Sequence, residues 1–260
     1  MGIIPSRSKR ILHTLMALDR RELPIEVDPI PVFLPDLPEA FHGARIAVVA
    51  DVHLPDAMVS LSRLVKCVAL QQPDAIFLPG DLTNSYTDFA ESDLREWAQA
   101  LAAIAPCYAI PGNHEWRLER EAAYAAILQE CGVHHLCDSY ADWTMGGKTL
   151  RLFGMGKRRP APLAVKDQPT VVLAHKPEYL PYYQRARWDL VICGHAHGGQ
   201  IRVAGHSVYA PGQGLFPRYT DGFYTAGRTT MVVSRGLGNS SVPVRLNNRP
   251  HLPLVLLMPR

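Results

Sequence analysis

Along the 260-residue chain, short apolar runs recur at residues 46–50, 75–78, 107–110, 171–174 and 190–193, each followed by a polar cluster. Runs of four or five residues without alternation are the pattern of strands covered on both faces. Between them, helical periodicity falls at about 59–71, 91–105 and 117–131, the last followed by Gly132 where a C-terminal cap would sit. The second half turns to hairpin signals: Gly146-Gly147 between two β-like segments, and Gly205-His206 between residues 201–203 and 207–209. Together these elements predict an α/β fold of two packed β-sheets flanked by α-helices.

The N-terminal stretch follows another rule. Residues 5–23 set Ile11, Leu12, Leu15, Met16 and Leu18 largely on one helical stripe among Arg and Lys. Such a basic amphipathic helix either docks on its own domain or touches an anionic membrane surface. Residues 24–38 carry Pro24, Pro29, Pro31, Pro35 and Pro38, which disfavours helix and predicts an extended tether. The expected division is therefore an N-terminal segment over 1–42 and one domain over 43–260. No apolar run approaches the roughly 18–20 residues of a membrane span. The run 11–18 is interrupted by His13 and Thr14, and Asp19, Arg20 and Arg21 follow it in place of a cleavage site. The expected location is cytoplasmic, with the inner membrane face as the site of any peripheral contact through residues 5–23.

Composition narrows the class. Hydrophobic content of 47% and charged content of 20% are those of a soluble globular chain. The net charge of +3 resides in the first twenty-two residues, where Arg7, Lys9, Arg10, Arg20 and Arg21 outnumber Asp19 and Glu22 by three. The remainder is near neutral, so no nucleic-acid-binding surface is evident; such a body needs a broad positive face. The five cysteines form no C-x-x-C pair and are odd in number, which fits reduced thiols.

The residues just beyond each apolar run carry the chemistry: Asp51-x-His53, Pro79-Gly80-Asp81, Pro111-Gly112-Asn113-His114-Glu115, His175, and Gly194-His195-Ala196-His197. Loops beyond the carboxyl ends of strands converge on one crevice in sheets of this kind, so these residues can meet. Carboxylate, amide oxygen and imidazole together suit Mn, Fe or Zn, and neither a thiolate zinc site nor an all-oxygen calcium site. Glycine before Asp81, Asn113 and His195 lets the backbone turn sharply there.

In that order, these five blocks resemble the calcineurin-like metallophosphoesterases, whose pattern is D-x-H, G-D, G-N-H-(D/E), H and G-H-x-H, over roughly residues 45–200. The run Gly194 to Ile201, with Ser234-Arg235-Gly236-Leu237-Gly238 and Pro243-Val244-Arg245-Leu246, is similar to the bacterial YkuE/YaeI-type phosphodiesterase branch. The resemblance implies a sandwich of two mixed β-sheets and a centre of two divalent cations, Mn2+, Fe2+/3+ or Zn2+. It implies that Asp51, His53 and His197 hold one cation, that Asn113, His175 and His195 hold the other, and that Asp81 bridges them. His114 is then no ligand, but faces the phosphate and stabilises or protonates the leaving oxygen. Two cations lower the pKa of a shared water and clamp phosphate oxygens for in-line attack, making hydroxide the nucleophile. The implied function is hydrolysis of a phosphodiester or pyrophosphate bond in a small-molecule substrate, with lipid-linked and nucleotide substrates both open. The alternatives are a phosphomonoesterase and a catalytically silent binding module, which typically lacks several of the ligands filled here.

The remaining candidates are weaker. Arg235 and Arg218 are candidate phosphate contacts, the latter in a glycine-rich, aromatic segment over 211–224 that either presents groups to a substrate or connects strands. Glu115 either orients a ligand histidine or serves as a helix N-terminal acid. His13, His42, His134, His135, His206 and His251 are expected to be structural or surface residues.

Overall fold

Ile46 and Val48 enter one apolar core and Ala47 and Val49 another, so this segment is covered on both faces, as its unbroken apolar run requires. The structure, a computed structural model, describes residues 23–86, 89–117, 120–157, 168–239 and 245–260. All but the last residue of the amphipathic segment 5–23 lie outside these, as do Pro243 and Val244.

The first half alternates strands β1 (Glu26–Leu34), β2 (Arg45–Val48), β3 (Ala75–Leu78), β4 (Cys107–Ala109) and β5 (His134–His135) with helices. The helices are α1 (Leu61–Leu70), α2 (Glu91–Ala102), α3 (Asn113–Arg117) and α4 (Glu121–Glu130). The second half holds β6 (Ser139–Met145), β7 (Lys148–Gly154), β8 (Val171–Leu173), helix α5 (Leu180–Arg185) and β9 (Leu190–Cys193). Two ribbons of two-residue strands come next: β10 (Arg202–Val203) with β11 (His206–Ser207), and β12 (Tyr209–Ala210) with β13 (Gly214–Leu215). Strands β14 (Gly222–Ala226), β15 (Thr229–Val233) and β16 (His251–Pro259) complete the fold.

Two six-stranded mixed sheets result, in the orders β1-β16-β2-β3-β4-β5 and β14-β15-β9-β8-β7-β6. Their facing sides share a core in which Ile46, Val48 and Phe77 of the first sheet meet Leu152, Val171, Leu190 and Ile192 of the second. The outer side of the first sheet packs on Leu64 and Val68 of α1, Leu94 and Trp97 of α2 and Tyr124 and Leu128 of α4. The outer side of the second packs on Leu180 and Tyr183 of α5. This is the sandwich of two mixed sheets flanked by helices that the pattern predicts. Among the described residues, no helix is long and apolar enough to cross a membrane.

Three expectations need correction. Residues 26–34 of the proposed tether are extended but form an edge strand, paired parallel with β16 over nine residues. Ile30, Val32 and Leu34 are buried there, whereas Pro29, Pro31 and Phe33 face out. An edge strand needs only half its N–H groups for its single neighbour, so the prolines are tolerated, and the packed structure begins well before the expected boundary at 43. The helix expected over 117–131 is the shorter α4, Glu121–Glu130, and Arg117 instead closes the separate helix α3. The second hairpin turns at Ala204-Gly205, one residue earlier than expected. The Gly146-Gly147 hairpin stands as read, joining β6 to β7.

Candidate metal centre

Five loops leaving β2, β3, β4, β8 and β9 bring together Asp51, His53, Asp81, Asn113, His114, His175, His195 and His197. All are buried except Asn113, which is half-buried. One group, Asp51, His53 and His197, has its donor atoms within 4.8 Å of one another; Asp81, His175 and His195 form a second such group, and Asp81 also groups with His53 and His114. Asp81 therefore stands between the two sets.

The local geometry decides which atoms face inward. His175 donates from Nδ1 to the Pro79 carbonyl at 2.8 Å, leaving Nε2 for the cluster. That Nε2 lies 3.1 Å from each of three atoms: Asp81 Oδ2, Asn113 Oδ1 and His195 Nδ1. On the other side, His53 Nε2 and His197 Nε2 are also 3.1 Å apart. The Asp51 carboxylate accepts the His195 backbone N–H at 3.0 Å.

Nitrogen and oxygen donors packed this closely without solvent repel one another unless protons or cations lie between them. Burial keeps the imidazoles neutral and able to ligate: His53 is pushed down to about 3, and His195 and His197 well below their ordinary value. His175 is the exception. Burial would lower it, but the Asp81 carboxylate outweighs burial and raises it to about 9. Burial raises Asp51 to about 7, whereas in Asp81 the nearby His175 outweighs burial and holds the carboxyl well below its usual range. A divalent cation would relieve each of these close contacts, and the mixed imidazole, carboxylate and amide set fits Mn, Fe or Zn.

The backbone is shaped for this convergence. Asp51, His53, Asp81, His195 and His197 all adopt positive φ, between 49° and 68°, a region that costs a non-glycine residue energy and gathers at functional sites. Gly112 has a different reason to be glycine: a Cβ there would collide with the backbone nitrogen and carboxylate of Asp81. Glu115 is fully buried in the same turn. Its carboxylate accepts the N–H groups of Asp81 at 3.1 Å, Thr83 at 2.9 Å and Gly112 at 2.8 Å, and the Thr83 hydroxyl at 2.9 Å. It thus ties the β3 loop to the β4 loop, rather than orienting a histidine.

A cleft over the donors is lined by Tyr86, His114, Arg117, Lys176, Tyr209 and Pro211, among others. Arg235 and Arg218, the candidate phosphate contacts, are not among the residues that line it. Arg235 pairs with Glu26 at 2.7 Å and Asp221 at 3.5 Å, so its charge serves to hold β1 against the loop before β14. Arg218 is exposed, in a turn organised by Gln213. The basic side chains at the cleft are Arg117 and Lys176, which sequence reasoning missed although each lies within four residues of a predicted donor. Ser85 and Asn248 were also missed. Ser85 donates its backbone N–H to His114 at 3.0 Å, and Asn248 donates to the His197 carbonyl at 2.7 Å; neither comes directly after an apolar run. His134 stacks on Tyr108 and His135 lies 3.7 Å from Glu121, both away from the centre.

A two-sheet sandwich with such a donor cluster at its strand ends defines a metallophosphoesterase. Residues 44–199 match the calcineurin-like phosphoesterase family, and the chain belongs to it. The chain is 30% identical to the phosphodiesterase YaeI of Escherichia coli strain K12, with 82% of each chain covered. It is 24% identical to the metallophosphoesterase YkuE of Bacillus subtilis strain 168, covering 85% of this chain and 81% of that one. A transmembrane protein with metallophosphoesterase domain from Danio rerio is 27% identical over 90% of this chain, which spans only 57% of that relative. The protein is a phosphoric ester hydrolase of the YaeI/YkuE branch.

Proposed function

We propose that the enzyme cleaves a phosphodiester or pyrophosphate bond at a centre of two divalent cations, Mn2+, Fe2+/3+ or Zn2+. Asp51, His53 and His197 would hold one, Asn113, His175 and His195 the other, with Asp81 shared. The observation that carries this reading is the pair of 3.1 Å approaches, His53 to His197 and His175 to His195, on either side of Asp81. Bound cations supply Lewis acidity that activates water and polarises the phosphoryl group.

The chain's own residues supply orientation and charge. Arg117 and Lys176 line the cleft and offset the charge of the phosphate oxygens. His114, whose Nδ1 accepts the Ser85 N–H, has its proton on Nε2 and can donate a hydrogen bond to the departing oxygen. That the relative YaeI is named a phosphodiesterase supports a diester rather than a monoester substrate.

The test is hydrolysis of bis-p-nitrophenyl phosphate and p-nitrophenyl phosphate by chelator-treated protein before and after manganese is returned. The expected result is metal-dependent turnover with the diester cleaved faster. Turnover that survives chelation would reject the metal centre, and a faster monoester would reject the diester assignment.

A further inference from the structure

A second cavity of about 410 Å³ opens beside the cleft and shares Asn113, Arg117 and Lys176 with it, and the donor His175 also lines it. Its walls come from Trp116 of α3, the helix that begins at Asn113, from Met155 just after β7, from Tyr179 in the turn after His175, and from Tyr183 of α5. The Tyr183 hydroxyl donates to the Lys176 carbonyl at 2.6 Å, so it is already satisfied and its ring serves as wall. Lys157 sits over the Trp116 ring, 5.5 Å from its centroid, and Lys176 over Tyr179 at 5.9 Å. No carboxylate is among the described lining residues.

We propose that this cavity receives a flat aromatic ring of nucleobase size borne on the substrate's phosphate, so that the substrate class is nucleotide-like. The inference rests on the hydrolase reading above. Because the donors Asn113 and His175 line this cavity, a phosphate placed on them projects one substituent into this space. Tyr179, Trp116 and Met155 form a surface on which planar rings stack with little dependence on ring identity, backed by the buried Tyr183 ring, which itself stacks on Trp188. Three cations, Arg117, Lys157 and Lys176, with no opposing carboxylate in the described lining, match an anionic ligand. A volume of about 410 Å³ falls at the smaller end of ligand pockets, which suits a ring and sugar better than an extended acyl chain.

The experiment is calorimetric titration of the manganese-loaded full chain with AMP, ribose 5-phosphate and decyl phosphate. AMP is expected to bind at least about fivefold more tightly than either of the others, the smaller end of what one stacked base contributes. Trp116→Ala should bring AMP to the level of ribose 5-phosphate, and Trp116→Phe should keep most of the difference. Equal binding of AMP and ribose 5-phosphate, tighter decyl phosphate, or AMP binding unaltered by Trp116→Ala would each overturn the assignment. The first two comparisons use the unaltered protein, so they hold if a variant fails to fold. Turnover of bis-p-nitrophenyl phosphate, measured alongside, separates the two readings. Turnover without AMP preference removes the ring pocket and leaves the hydrolase, and AMP preference without turnover does the reverse.

Discussion

The backbone N–H of Ser85 donates to Nδ1 of His114 at 3.0 Å, and Nε2 of the same ring stands 4.0 Å from Asp81 Oδ2. A backbone N–H cannot accept, so Nδ1 keeps its lone pair and the ring's one proton sits on Nε2. Burial further lowers the pKa of His114, which keeps it neutral. Of the two roles open in the sequence, stabilising or protonating the leaving oxygen, the geometry favours the first: a neutral ring donates a hydrogen bond and keeps its proton. His114→Asn is expected to lower kcat by roughly 10²-fold, the scale of one lost oxyanion donor, with bound metal unchanged. A true proton donor would also make kcat fall as pH rises through the range where it deprotonates. The expected wild-type profile is flat from pH 7 to 8.5, and a falling limb there that disappears in His114→Asn would refute the neutral donor.

Asp81 is the residue that lies near donors of both halves of the cluster, His53 on one side and His175 and His195 on the other. Oδ1 accepts the His114 backbone N–H at 2.8 Å, and Oδ2 lies 3.1 Å from His175 Nε2. Asp81→Asn keeps the shape but removes the negative charge that would offset two cations. Elemental analysis should show two cations per wild-type chain and fewer than one in the variant. Full occupancy in the variant would exclude Asp81 as the shared ligand.

Protons and cations compete for the same nitrogen. In the metal-free protein the Asp81 carboxylate outweighs burial and raises His175 to about 9, above its ordinary 6.5. The stability that His175 contributes is therefore complete below about pH 6.5 and is lost as pH rises through 9. A cation on Nε2 must displace that proton, whereas His53, pushed down by burial to about 3, has none to release. At pH 8 manganese binding is expected to release about one proton per chain, read as a calorimetric enthalpy that shifts with the ionisation enthalpy of the buffer. A buffer-independent enthalpy would show that Nε2 of His175 is not a ligand.

The centre was legible because its donors sit where apolar runs end. Asp51, Asp81, Asn113, His175 and His195 are each reached within a few residues of a strand, and position along the chain was enough to group them. Arg235 shows the limit of that reading. An arginine in a glycine-rich loop suggests phosphate, but only the fold reveals that Glu26, more than two hundred residues earlier, lies beside it. Ser85 and the lysines of the ring cavity carry no pattern of their own, since a backbone donor or a stem over an aromatic ring leaves no mark on spacing. Strand β16 was missed for another reason: it carries the same kind of apolar run as the other covered strands, but Pro253 and Pro259 within its nine residues argue against a strand. Strand β1 was misread because five prolines outweighed an alternation already present, Ile30, Val32 and Leu34 inward and Pro31 and Phe33 outward.

That alternation can be tested directly. Val32 is 1% exposed, in the core between the sheets, while its neighbour Phe33 is 57% exposed. If residues 26–34 were a tether, neither side chain would matter to stability. As an edge strand on β16, Val32→Ala should cost about 2 kcal/mol from lost burial and the cavity left behind. Phe33→Ala, a larger truncation, should change stability by about 0.5 kcal/mol or less. Deleting residues 1–42 removes Ile30, Val32 and Leu34 together, about 6 kcal/mol of burial at roughly 2 kcal/mol each. That approaches the whole stability of an ordinary domain, and it also leaves β16 as a bare edge open to other chains. The shortened chain is expected to aggregate or unfold, and denaturant titration of the two single variants answers the same question without truncation. Equal midpoints for Val32→Ala, Phe33→Ala and the parent would return the segment to a tether and restore the boundary near 43.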